Sequence, residues 1–83
     1  MTTFLIYGSY GYTGKLITKL AVERGHRPIL AGRDEKKLTE QNQNLDLPAF
    51  TFDLSESENL DAILNDIDMV LHCADTFFVI YKY

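Results

Sequence analysis

Gly8, Gly11 and Gly14 fall at intervals of three in the stretch "YGSYGYTG", which holds three of the chain's five glycines. Glycine destabilises regular structure, so a regular cluster of it points to backbone that must turn tightly or be approached closely. The apolar and β-branched run Thr3–Tyr7 ends at Gly8, and a helical apolar period opens just past Gly11. The cluster reads as a strand–turn–helix junction. Such a junction aims the first N–H groups of the helix outward at the positive end of its dipole, where phosphates bind. Gly8 permits the turn, Gly11 lets a pyrophosphate meet the backbone without touching a Cβ, and Gly14 lets the helix pack closely. These are the roles of dinucleotide-binding glycines, here in a G-x-x-G-x-x-G spacing longer by one residue than G-x-G-x-x-G. A tight turn with no ligand is the competing reading.

Two further strand ends carry chemistry. A carboxylate after the second strand would accept hydrogen bonds from a ribose diol. This chain has "AGRDEKKL" there. The Arg33 guanidinium offers a planar fork of donors suited to a phosphate, and Lys36 or Lys37 can add charge. The pattern favours NADP over NAD, although Asp34 can also take a diol and Arg33 also fits a solvated turn. Asp53 closes the third expected strand. It can accept from an adenine amino group or serve the turn before Ser55, and both readings are open. Tyr10 and Tyr12 flank Gly11 and either lie by the cofactor or pack on the helix. His72 reads as a packed strand residue, His26 as a solvated loop residue, and Cys73 as a small buried apolar group.

The elements that must position these residues alternate. Strand one is followed by a helix with Leu16, Ile17, Leu20 and Ala21 as its apolar stripe and Gly25 as its stop. A second strand covers about Pro28–Ala31. Asp34 caps a second helix over "EKKLTEQNQN". "AFTFD" gives a third strand ending at Asp53, and "SESE" (Ser55–Glu58) forms a capping box. Leu60, Ile63, Leu64 and Ile67 then recur at helical spacing, and "MVLHCA" (Met69–Ala74) is a fourth strand. The order βαβαβαβ implies an α/β fold, a Rossmann-like half with a parallel sheet of order 3-2-1-4. Strand four is expected as an open edge. The tail Asp75–Tyr83 leaves no room for a parallel crossover and is expected to fold back, pair with another chain or stay loose. The exposed edge and second sheet face predict self-association or a partner chain.

Composition narrows the class. With 83 residues the chain forms one small domain. A net charge of −4 disfavours a general nucleic-acid surface. Cys73 is the only cysteine, so no internal disulfide and no cysteine-built metal site can form. The start carries no basic flank, no run approaches membrane-spanning length, and a reducing cytoplasmic setting is the expectation.

The stretch "GSYGYTGKLITKLAVERGHRPILAGRDEKKL" resembles the N-terminal NADP-binding domain of the saccharopine dehydrogenase-like family. The Gly-Tyr-Thr-Gly run, the helix after it and the Ala-Gly-Arg after strand two carry the match, which continues through Phe52–Leu54 into "VLHCA". Extended short-chain dehydrogenases with the same glycine turn are the nearest alternative, but no Tyr-x-x-x-Lys pair is present. The resemblance implies a nicotinamide cofactor bound ahead of a separate substrate domain. It places Gly8, Ser9, Tyr10, Gly11, Tyr12, Thr13 and Gly14 around the pyrophosphate and Arg33 at the 2′-phosphate. Asp53 and Leu54 would lie by the adenine, and Cys73 and Ala74 by the nicotinamide-side phosphate and ribose. At Asp75–Phe77 the chain departs from the family's Gly-Pro-Phe turn. The expected function is cofactor binding by an oxidoreductase half that lacks its substrate domain and is inactive alone. A non-catalytic interaction module that keeps the fold is the alternative.

Overall fold

The computed structural model describes residues 3–53, 65 and 67–73, together with the backbone of 78–82. The elements are β1 (Phe4–Tyr7), α1 (Tyr12–Glu23), β2 (Ile29–Gly32), α2 (Glu35–Asn42), β3 (Ala49–Thr51), β4 (Met69–Cys73) and β5 (Phe78–Lys82). They build one sheet of order β3-β2-β1-β4-β5. The first four strands are parallel, in the expected 3-2-1-4 arrangement. The helix expected behind the Ser55–Glu58 box lies outside the described residues.

The pleat sorts the core into two layers. Ile6 and Leu30 are register partners and both are fully buried. Leu30 packs with Leu38 of α2 and with Leu47 on one face of the sheet. Leu5, Tyr7, Ala31 and Val70 alternate to the other face, where Ile67 joins them. The continuous burial of β1 and β2 is what a parallel strand covered on both sides requires.

Several expectations are corrected. Strand four is not an edge: β5 pairs with it antiparallel, from Met69↔Lys82 to Cys73↔Phe78. Antiparallel pairing needs no crossover, so the tail that could not extend the parallel sheet folds back onto it. The buried side of α1 is Gly14, Thr18 and Ala21, whereas Leu16 and Leu20 are 52% and 44% exposed. Close approach of the helix selects small residues for its inner face, and the larger ones turn out. Ile67 is not helical. It lies just before β4, buried in the second core layer. The third strand stops at Thr51, two residues before Asp53. The first helix does end as expected. The Gly25 N–H donates to the Val22 carbonyl and the His26 N–H to that of Ala21, with Gly25 at φ 84°.

Leu30 is the most enclosed large side chain of the α2 layer. Leu30→Ala is expected to destabilise the domain by about 3 kcal/mol in urea denaturation. A loss below about 1 kcal/mol would show that this layer collapses readily around the gap.

Candidate functional site

Parallel strands end along one edge of the sheet, and the residues singled out in the sequence gather there. The Gly8–Gly11 turn leaves β1, Arg33 follows β2, Asp53 follows β3, and Cys73 ends β4 beside Gly8. Leu54 and Ala74 lie outside the described residues.

The turn is held from three sides. The Gly8 N–H donates to the Ala31 carbonyl of β2 at 2.8 Å. A Cβ on Gly8 would stand 2.6 Å from the Cys73 carbonyl oxygen, and its φ of 79° also excludes ordinary side chains. On the third side Ser9, fully buried, forms a reciprocal pair with Gln41 of α2. The Ser9 hydroxyl donates to Gln41 Oε1 at 2.8 Å, and Gln41 Nε2 donates to the Ser9 carbonyl at 2.7 Å. Gln41 is a positioning residue that sequence reasoning missed, because no local pattern links a serine and a glutamine 32 residues apart.

The glycines then separate by cause. A Cβ on Gly14 would collide with the Gly8 carbonyl oxygen and stand 2.7 Å from the Ser9 Cα. The close seating of α1 on its own entry loop therefore requires it. Gly11 differs. Its backbone is ordinary, φ −75° and ψ 174°, and among the described residues a Cβ there would meet only the Gly8 carbonyl oxygen at 3.4 Å, a normal contact. The described residues leave room at Gly11 that they do not fill.

The two helix starts also differ. The Asp34 carboxylate caps α2, accepting from the Lys37 N–H at 3.1 Å, and Glu35 lies in its first turn. The start of α1 has no side-chain cap and no acidic residue in its first turn. No acidic side chain of its own therefore answers the positive end of its dipole. Tyr12 projects there, 81% exposed, while Tyr10 folds back over β2.

Arg33 is exposed, and among the described residues no partner engages its guanidinium. It lines an open hollow of about 690 Å³ with Tyr10, Asp34, Glu35, Lys36 and Lys37. His26 is exposed and touches Phe4 edge-on, and His72 packs its ring against Tyr7 at 5.4 Å. Tyr7 in turn donates its hydroxyl to the Phe52 carbonyl at 2.9 Å, which fixes the segment leading to Asp53. Burial pushes the Cys73 thiol up. No cluster able to hold a metal ion occurs among the described residues, and no described helix is long and apolar enough to cross a membrane.

A parallel 3-2-1-4 sheet with a glycine turn and an uncapped helix start at its carboxyl edge defines a Rossmann-like nucleotide-binding half. The comparison with known families agrees: the profile of NAD(P)H-binding domains matches residues 8–77, and the chain belongs to that family. It is 33% identical over 75 residues to an inverting UDP-N-acetylglucosamine 4,6-dehydratase of Campylobacter jejuni, covering 84% of this chain and 22% of that protein. Isoeugenol synthase 1 of Petunia hybrida is 31% identical, over 81% of this chain and 23% of the enzyme. A reducing polyketide synthase of Gibberella moniliformis is 31% identical, over 87% of this chain and 4% of that protein. The chain thus spans less than a quarter of the length of these curated relatives. No solved structure matches it.

The glycine assignments are separable by stability. Gly14→Ala is expected to cost about 1–3 kcal/mol or more in urea denaturation, since backbone must shift. Gly11→Ala is expected to cost under about 1 kcal/mol, the size of a lost helix cap. Equal costs would contradict the distinction. Cys73 should alkylate with iodoacetamide far more slowly in the folded chain than in urea at mildly alkaline pH. Mass spectrometry showing equal rates would place the thiol in solvent.

Proposed function

We propose that this chain is the NADP(H)-binding half of an oxidoreductase of the saccharopine dehydrogenase-like type. The single observation that carries the cofactor reading is Gly11: a glycine that neither its backbone angle nor packing among the described residues demands, at an uncapped helix start. A pyrophosphate approaching those amides is what would demand it. NADP is favoured over NAD by two features. The Arg33 guanidinium is uncommitted among the described residues, and one oxygen of the Asp34 carboxylate is turned to capping α2. The saccharopine dehydrogenase-like parentage rests on the Gly-Tyr-Thr-Gly and Ala-Gly-Arg segments. Hydride transfer needs a substrate held against the nicotinamide, so the proposal puts the substrate-binding residues outside this chain and makes the chain alone inactive. A cytoplasmic setting goes with its single thiol.

The second reading, an interaction module on the same fold, has its own observation. Tyr12, Leu16 and Leu20 recur every four residues on the outer side of α1 and are all exposed. Self-association or a partner chain would use this stripe rather than the edge of β4, which β5 occupies.

Calorimetric titration with NADPH and NADH decides between the readings. Binding of NADPH, weakened roughly ten- to a hundredfold by Arg33→Ala with NADH little affected, is the expected outcome. Absence of heat with either cofactor at millimolar concentration would favour the interaction module, and equal losses for both would remove the phosphate contact from Arg33.

A further inference from the structure

We propose that Tyr10 is a specificity-determining residue, donating its phenol proton to the 2′-phosphate of the adenosine ribose. The inference rests on the cofactor reading above and deepens it. The Tyr10 ring lies over Gly32, where a Cβ would collide with it. This seats the phenol oxygen on the turn after β2. The Arg33 and Asp34 backbone N–H groups both donate to that oxygen, at 3.2 and 3.1 Å. Two successive amides converging on one oxygen form a small concavity of the kind that binds anions.

The hydrogen-bond inventory of a phenol then fixes its remaining role. Its oxygen already accepts twice, so only the proton is left to offer. Among the described residues no acceptor takes it. That proton is left for water or for a ligand acceptor in the open hollow it shares with Arg33, Lys36 and Lys37. The Lys37 ammonium stands 5.7 Å from the centre of the Tyr10 ring, so the surroundings are cationic. Two carboxylates share the hollow. One oxygen of Asp34 is turned to the Lys37 amide, and Glu35 is exposed to screening water. A 2′-phosphate carries only acceptors and forms a charge-assisted O–H···O⁻ bond, stronger than the neutral bond a 2′-hydroxyl would accept. Tyr10 thereby discriminates NADP(H) from NAD(H) alongside Arg33, through a phenol O–H seated by two backbone amides rather than through charge of its own.

Tyr10→Phe keeps the ring on Gly32 and removes only the hydroxyl. Titrated with both cofactors, it is expected to weaken NADPH about tenfold and leave NADH nearly unchanged. Equal weakening of both cofactors would reduce Tyr10 to a structural prop. An unchanged NADPH/NADH ratio, or tighter NADPH binding because the phenol had been plugging amides the phosphate wants, would overturn the proposal. An unaltered chain that binds neither cofactor fails the cofactor reading and this inference with it; one that prefers NADPH, with Tyr10→Phe preferring it to the same degree, fails this inference alone. Proton–nitrogen NMR of the unaltered chain gives a reading that does not depend on the variant folding. The Arg33 and Asp34 amide signals should move on adding NADPH and much less with NADH, and equal movement would overturn the proposal.

Discussion

The structure depends on how close the first helix comes to the loop that enters it. The Gly8 carbonyl oxygen accepts from the Gly11 N–H at 3.1 Å and occupies the space where a side chain on residue 14 would be. That approach leaves no room for large residues on the inner side of α1. Gly14, Thr18 and Ala21 fill it, and the Thr18 hydroxyl, itself buried, returns its proton to the Gly14 carbonyl at 2.7 Å. Leu16 and Leu20 are consequently turned to the outside. One steric constraint thus sets the helix direction, its inner composition and its exposed apolar stripe.

The same turn is held in one conformation by its neighbours. A glycine-rich loop free in solution would sample many conformations. Here β2 holds it through the Ala31 carbonyl, β4 crowds it with the Cys73 carbonyl, and α2 holds it through Gln41. The ordering cost is met by folding, so a ligand arriving at the start of α1 need not supply it. The contrast with α2 is local: the Asp34 carboxylate answers the Lys37 amide there, whereas α1 starts with no side-chain cap.

Electrostatics concentrates these features locally. The chain as a whole is acidic, at −4. Arg33, Lys36 and Lys37 nevertheless share one hollow at the carboxyl edge of the sheet. At physiological ionic strength charges beyond about 8 Å are largely screened, so an anion near this hollow would respond to these local groups more than to the total.

Much of this was legible from the order of residues. The alternation of strand and helix periods pointed to a parallel sheet, because each period is a local property of the backbone, and the glycine turn's likeness to dinucleotide-binding folds supplied the order 3-2-1-4. The Asp34 cap and the Gly25 stop were legible for the same reason: each acts on amides three or four residues away. What only the tertiary structure decided are relations between distant segments. The inner face of α1 was misread because hydrophobicity favoured Leu16 and Leu20, whereas distance to the Gly8 loop chose the small residues. The pairing of β5 with β4 became available only once the sheet had formed an edge to receive it. Gly32, which reads in the sequence as the end of a strand, is the seat of the Tyr10 ring, and Ser9 finds Gln41 across the fold. Side chains that meet through space leave no period along the chain, so the sequence carried the framework and folding supplied the contacts that hold the turn.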